Sequence, residues 1–389
     1  MGDEEISNLT EVIRSGKLFR YGGQFVVRFE EEFAGRYGAK HAVAATSGTA
    51  ALHVAVGALQ PNPGDEIITS PITDMGTIIP ILFQNAIPVF ADLEPDMYCM
   101  QPQSIAGRIT DRTAAIIVVH LFGQPADMDS ILALARDRGI PVIEDCAQAY
   151  LTEYHGTLAG TMGDIGCFSL QQSKHMTAGD GGIIITDDDD IAMRARLFAD
   201  KGWPRQGEAR DYMFLGANYR MNELTGAVAC AQLGKVESVV ANRRAAAEKL
   251  TARINEIEGV NPPAVRDNCK HSYWQYPITV DEDVLGTSPR DFVQALSAEG
   301  IPAGVGYIGR PIYMTQMLHD KKAYGSSHCP WECKFAGRSI EYRKDDCPDT
   351  LEILRRIIII PWNENYGDRE VNDIADGLDK VAAHFRGKQ

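Results

Sequence analysis

Short apolar runs alternate with amphipathic stretches along the first half of this chain. HAVAAT (41–46), EIITS (66–70), IPVFAD (87–92), AAIIVVH (114–120) and IPVIED (140–145) are brief, apolar and bounded by turn residues, which predicts buried strands. GCFSL and GGIIIT, inside residues 166–186, have the same character. Helical spacing fills the gaps. EEISNLTEVIRSGK ends at Gly16, and the turn LFRYGG follows. Phe25, Val26, Phe29, Phe33 and Tyr37 then share one helical stripe. TAALHVAVGAL, about 77–84 and about 103–108 supply further helices. Another lies within LFGQPADMDSILALARDRG, with Asp127 or Asp129 as its cap and Gly139 at its end. Strands and helices alternating at this spacing imply βαβ units, hence an α/β fold around a mostly parallel sheet flanked by helices.

The second half loses the strict alternation. A polar loop, KGWPRQGEARDYMFLGANYRMNE, leads into one long amphipathic helix from about Asn222, with Leu224, Val228, Leu233, Val236, Val240, Ala246, Leu250, Ile254 and Ile257 on or near one face. A helix of that length bridges domains, so the boundary is placed inside it. Residues 1–240 form a large domain and residues 241–389 a smaller C-terminal α+β domain. In the latter, YPITV, IPAGVGY and RRIIIIP predict strands, SPRDFVQALSAEG and REVNDIADGLDKVAAHF predict helices, and a Gly/Ser/Cys loop occupies 324–333.

Charge and cysteine usage narrow the function. Across 389 residues the formal net charge is −15, with no Lys/Arg cluster, which argues against nucleic acid as a partner. The first residues are acidic and polar, unlike a signal peptide, and no apolar run has the length of a membrane span. The eight cysteines are scattered, which predicts reduced thiols in a cytoplasm.

Candidate chemistry lies at strand ends. Lys174 sits in a polar turn between two predicted buried strands, where partial desolvation lowers an amine's pKa and frees it to form a Schiff base. The plain alternative is a surface lysine on a hairpin. Ser47-Gly48-Thr49 joins a strand to a helix, an anion-binding arrangement, although Ser and Thr are also ordinary helix caps. Asp145 and Ser169 end strands. Together these meet the needs of pyridoxal 5′-phosphate: donors for its phosphate, a carboxylate for its ring nitrogen and a lysine for its aldehyde. The plain alternative for Asp145, a helix cap after a strand, is the weaker reading even before the pattern is considered together.

VVHLFGQPADMDSILALARDRGIPVIEDCAQAY and GTMGDIGCFSLQQSKHMTAGDGGIIITDD resemble the DegT/StrS-type sugar aminotransferases of the fold-type I pyridoxal-phosphate class. FEEEFAGRYGAKHAVAATSGTAALHVAV, NYRMNELTGAVACAQL and IIIIPWNENY are similar too, so the resemblance runs from about residue 15 to the C-terminus. It implies that Lys174 carries the cofactor and shuttles the proton. It further implies that Asp145 pairs with the pyridinium nitrogen, that Gln148 lies near the 3-hydroxyl, and that Gly48, Thr49 and Ser169 hold the phosphate. Asn218 would reach the cofactor of a partner subunit, making a homodimer part of the site. By itself Asn218 is a polar loop residue suited to capping. The implied reaction takes an amino group from glutamate or glutamine to a keto-sugar or keto-cyclitol. QQSK is closer in wording to the glutamine-dependent cyclitol branch, and Arg220 and the LFRYG turn (18–22) are candidates for substrate contact.

Where the family carries a ring-stacking aromatic, this chain has Asp74, in PITDMGT. Either Met75 or another side chain covers the ring, or Asp74 contacts cofactor or substrate. His175 is expected to be packed rather than catalytic. His328, Cys329, Cys333 and Cys347 are irregularly spaced and are not assigned a metal. Two rivals remain: a dehydratase on the same cofactor, disfavoured because Lys174 is present, and a non-catalytic regulatory protein on the same fold.

Overall fold

A computed structural model of the chain describes residues 1–205 and 211–387. Residues 206–210 of the predicted polar loop lie outside the described residues. The predicted strands appear as β1 (His41–Ala45), β2 (Glu66–Thr69), β3 (Ile87–Phe90), β4 (Thr113–Val119) and β5 (Val142–Asp145), followed by a small pair, β6 (Glu153–Tyr154) and β7 (Thr157–Leu158), then β8 (Ile165–Ser169) and β9 (Gly182–Thr186). Seven of them form one sheet in the order β1-β9-β8-β5-β4-β2-β3. β3, β2, β4, β5 and β8 run parallel, and β9 pairs antiparallel with both β8 and β1. A direct hairpin-like connection explains β9: its strand returns beside β8, with no helix to carry the chain across the sheet.

Helices cover both faces. Gly48–Leu59 is apolar nearly all round and is enclosed by the sheet, Met75–Phe83 and Asp189–Phe198. Phe25–Tyr37 packs on the opposite face through Phe29 and Phe33 against Phe168. Its first N–H groups are satisfied from far along the chain, since the buried Glu223 carboxylate accepts from Gln24, Phe25 and Val26 at 2.8, 2.7 and 3.1 Å. Asp127 caps Met128–Arg138, and Gly139 ends it in the left-handed conformation, as the sequence predicts.

The long bridging helix is not continuous. The chain forms Glu223–Leu233, turns at Gly234-Lys235, and resumes as Val236–Ile254. The apolar stripe hid the break, because Leu233 and Val236 on either side are buried in one core. At the turn, Lys235 Nζ donates to Glu5 at 2.8 Å. Within the second helix Val236 and Val240 belong to the large-sheet core, while Ala246, Leu250 and Ile254 belong to another core.

That other core lies under a four-stranded antiparallel sheet. Its strands are β10 (Val260–Asn261), β12 (Gln275–Val280), β13 (Gly304–Val305) and β14 (Ile358–Pro361), in the order β10-β12-β14-β13; β11 (Cys269–Lys270) pairs instead with β6. Helices Pro289–Ala298 and Asp368–Arg386 pack on it. The strand expected over 301–307 shrinks to Gly304–Val305, and Arg355 and Arg356 end a helix, Pro348–Arg356, instead of opening the last strand. Between β13 and that helix the chain crosses back. Tyr313, Trp331 and Tyr342 pack with Phe90 in the large-sheet core. Among the described residues, no helix is long and apolar enough to cross a membrane.

Candidate active site

The register of the large sheet assembles the site. Val119, Asp145 and Cys167 stand side by side at the carboxyl ends of three parallel strands, where ligands of such sheets bind. Gly182 pairs with Ser169 on one side and with Ala45 on the other. This brings the Ser47-Gly48-Thr49 turn against Ser169. A Cβ on Gly48 would stand 2.6 Å from the Ser169 Cβ, so only glycine fits. Lys174 lies on the connection that carries β8 into β9. Gly48, Thr49, Asp145, Gln148, Ser169 and Lys174 line one cleft of about 310 Å3. Asn218 does not line it. That residue is exposed and bridges to Asp200, while Asn222 caps the following helix through Thr225 N at 3.0 Å.

The electrostatics of the cleft are unbalanced. Asp145 is buried and accepts hydrogen bonds from Thr77 Oγ1 at 2.9 Å and from Ala147 N at 3.1 Å. Burial nevertheless raises its pKa, because those two bonds and the charge of Lys174 offset desolvation only in part. Burial brings the Lys174 amine down to about 8, and the charges of Asp145 and Asp74 keep it from falling further. Its Nζ sits 4.0 Å from the centre of the Trp274 ring. Gln148 accepts from Phe122 N at 2.8 Å and donates to Tyr307 Oη at 3.2 Å. Burial pushes the Tyr307 phenol up to about 12, helped by the charges of Asp74 and Asp145, so it stays protonated.

Thr77, Trp274 and Tyr307 were not anticipated. Thr77 lies close in sequence to Asp74 and is a hydroxyl beside a helix start, a weak signal that was available. Trp274 and Tyr307 come from the second half of the chain, and nothing local marks them. Trp274 is fixed by its indole N–H, which donates to Ser173 O at 2.7 Å.

Asp74 lines the same cleft and caps the Met75–Phe83 helix, with Oδ1 accepting from Gly76 N at 2.7 Å. Met75 turns away and packs against the core of the large sheet. The aromatic surfaces of the cleft are Trp274 and Tyr307.

The other candidates fall elsewhere. Arg20 of the LFRYG turn makes a two-pronged pair with the buried Glu30, at 2.7 Å on each prong, and so has a structural task. Arg220 pairs with the buried Asp200, which also takes a hydrogen bond from Tyr21 Oη at 2.9 Å. None of these three lines the Lys174 cleft. His175 is buried with Nε2 donating to Ser272 O at 2.9 Å, a packed histidine as expected. Cys347 is buried against Phe90, whereas His328 is exposed.

An amine lowered by burial, facing a strand-end carboxylate and a helix N-terminus in an α/β fold, is an arrangement suited to a nucleophilic lysine. The sequence comparisons agree. Residues 1–341 match the DegT/DnrJ/EryC1/StrS aminotransferase family, and the chain belongs to that family. It is 32% identical to the spore coat polysaccharide biosynthesis protein SpsC of Bacillus subtilis, over 97% of this chain and 94% of that one. It is 33% identical to the L-glutamine:2-deoxy-scyllo-inosose aminotransferase of Streptomyces fradiae, over 97% of this chain and 91% of that one. The aminotransferase from Psychrobacter cryohalolentis has a similar structure, with a TM-score of 0.88 at 28% identity, covering 99% of this chain and 98% of that chain.

Proposed function

We propose that this aminotransferase uses pyridoxal 5′-phosphate to move an amino group from glutamate or glutamine to a keto group of a sugar or cyclitol, in amino-sugar or aminocyclitol biosynthesis. The observation that carries the reading is the meeting of Lys174, Asp145 and the Gly48-Thr49-Ser169 turn in one cleft. The donor set fits the cofactor. Glycine at position 48 leaves room beside Ser169, and the first-turn N–H groups of the Gly48–Leu59 helix lack intrahelical acceptors, which suits a phosphate. Among the described residues, Lys174 is the only basic side chain along the cleft with Asp145, so a ring nitrogen would supply a second cation for that carboxylate.

Bound there, the cofactor would supply an aldehyde for amine capture and a ring that takes up an electron pair. The rest is the work of the chain. With its amine brought to about 8, Lys174 Nζ gives up its proton far more readily near neutral pH than an ordinary lysine, and its neutral form can take a proton from carbon and return it. Asp145 keeps a facing nitrogen positively charged. Gln148 and Tyr307 form one hydrogen-bonded wall, and Trp274 keeps water off one side of Nζ.

Three further proposals accompany this reading. The domains divide at 240/241, between the two groups of core residues in the Val236–Ile254 helix. The enzyme is a homodimer in which Asn218 serves the neighbouring site; support comes from the exposed apolar side chains near it in sequence, Met213 at 64% and Leu215 at 91%. The eight free thiols suit a reducing cytoplasm.

Absorbance tests the chemistry. Protein with pyridoxal 5′-phosphate should show a visible band that glutamine or glutamate bleaches into the near ultraviolet, and Lys174→Ala should lack the band. A protein that binds the cofactor but is bleached by neither donor sinks the transamination reading. Mixed dimers of Lys174→Ala with Asn218→Ala should regain activity that neither variant has alone.

A further inference from the structure

A second concavity, distinct from the Lys174 cleft, lies where helix Pro289–Ala298, strand β13 and helix Pro348–Arg356 meet. It measures about 660 Å3, against about 310 Å3 for the cleft, and the two share no lining residue. The turn that leaves β13 runs between them. Tyr307 lines the cleft, while Gly306, Gly309 and Arg310 line the concavity. Gly309 N donates to Gly306 O at 2.6 Å and closes that turn.

The charge of the concavity runs against that of the molecule. The chain carries −15 overall, yet Arg290, Arg310, Lys344 and Arg355 line this one surface with a single carboxylate, Glu282. Arg355 is already engaged, by Glu282 and by Glu352 at 2.8 Å. Among the described residues, Arg290, Arg310 and Lys344 have no acid within ion-pair distance and no side-chain hydrogen bond. They belong to three separate segments: the helix Pro289–Ala298, the turn after β13 and the chain that leads into Pro348–Arg356. Folding, not a run of like residues, brings them together. Three uncompensated cations on one concave surface repel one another, and a multiply charged anion among them removes that repulsion. Two of the three are arginines, whose planar forks match phosphate oxygens. A single carboxylate would answer only one of them.

The rest of the lining is suited to something other than a bare ion. Val305, Met314 and Leu351 present half-buried apolar side chains to the same space. A cavity of this size, apolar with a few convergent charges, has the ordinary form of a small-molecule site.

We propose that this concavity is a second ligand site, which takes a phosphate ester with an apolar body: the phosphate on Arg290, Arg310 and Lys344, the body on Val305, Met314 and Leu351. The proposal does not rest on the amino-transfer reading.

The test is calorimetric titration of protein loaded with pyridoxal 5′-phosphate, so that the turn beside Ser169 is occupied. The probes are 1-naphthyl phosphate, inorganic phosphate and 1-naphthol. Wild type should bind one 1-naphthyl phosphate per chain, about tenfold or more tightly than either of the other two, and less tightly as salt is added. Arg290 and Arg310 are exposed, so the double variant Arg290→Gln, Arg310→Gln should fold normally. It should lose at least tenfold in affinity for 1-naphthyl phosphate and none for 1-naphthol. No saturable binding in wild type would overturn the proposal. So would an affinity unchanged in the double variant, or 1-naphthyl phosphate binding no more tightly than inorganic phosphate. If the protein takes up no cofactor, the transamination reading fails, and the same titrations of wild type and double variant still decide this site.

Discussion

Glu144 and Asp145 are neighbours on β5, and their side chains leave opposite faces of the sheet. Both are buried. On one face Glu144 accepts from Gly160 N at 2.8 Å, Met162 N at 2.8 Å and Gly163 N at 2.7 Å. His120 Nε2 completes the set at 2.9 Å; its Nδ1 accepts from Ala126 N, which leaves the proton on Nε2. Despite burial, these partners hold Glu144 below the usual carboxylate range. Asp145 receives two hydrogen bonds and ends with a raised pKa, facing Lys174. The difference is between a carboxylate whose partners are all supplied by the fold and one left short of partners at a cleft, which supports the cofactor-binding role proposed for Asp145. Buried polar groups are satisfied where they serve stability, and a shortfall at a cleft marks chemistry. The same comparison disposes of the His120, Glu144 and Cys146 grouping as a metal site: both Glu144 oxygens and both His120 nitrogens are already engaged.

The comparison can be broken most severely through activity. Asp145→Asn should lower amino transfer by roughly 10^3-fold, the scale of losing one preorganised electrostatic partner. Thermal stability of the cofactor-free protein should stay the same or rise. A variant that lost stability and kept its rate would reverse the assignment. Glu144→Gln should do the opposite. Placing an amide N–H2 among backbone donors leaves buried groups unpaired and should cost about 2–4 kcal/mol in denaturant unfolding, with little change in kcat of the folded fraction.

The pH dependence of stability sharpens the contrast by sign. Glu144 has a depressed folded pKa, so its contribution is present above the unfolded pKa and is lost as pH falls through the folded one. The folded pKa of Asp145 is raised, so folded protein holds that proton more tightly. Stability should therefore decline as pH rises from the unfolded carboxylate range through the raised value. Melting curves of cofactor-free Glu144→Gln and Asp145→Asn should each lack one of these two slopes. The smallest effect concerns the rim of the site. Gly48→Ala pushes a methyl group against Ser169 and should weaken pyridoxal 5′-phosphate about tenfold in a fluorescence titration, while leaving the Glu144 face and its stability untouched.

Several parts of this picture were legible along the chain because their signals are local. The strands of the large sheet are short apolar runs closed by turn residues, so Asp145 and Ser169 could be placed at strand ends and Lys174 on a connection. The Gly139 helix stop and the Asp127 cap were equally local. Periodicity misled over 222–257, since a stripe that stays buried across Gly234-Lys235 gives no hint that the backbone turns there. Arg220 and the LFRYG turn (18–22), which holds Arg20, were candidates for substrate contact. Their partners, Glu30 and Asp200, are set by packing that sequence spacing does not encode.

By itself the sequence determined the α/β architecture, the lysine on its connection, the strand-end acid and the Ser47-Gly48-Thr49 turn into a helix, because each depends on residues within one turn or one strand of each other. Tertiary structure alone decided which of two adjacent carboxylates would be satisfied, since three of the Glu144 partners lie beyond the next strand pair and the fourth, His120, just past the end of β4. It also decided that Trp274 and Tyr307 would wall the cleft and that Asp74 would line it together with Lys174. Burial and the summed field of distant charges set those properties, and both come into being only when remote segments pack together.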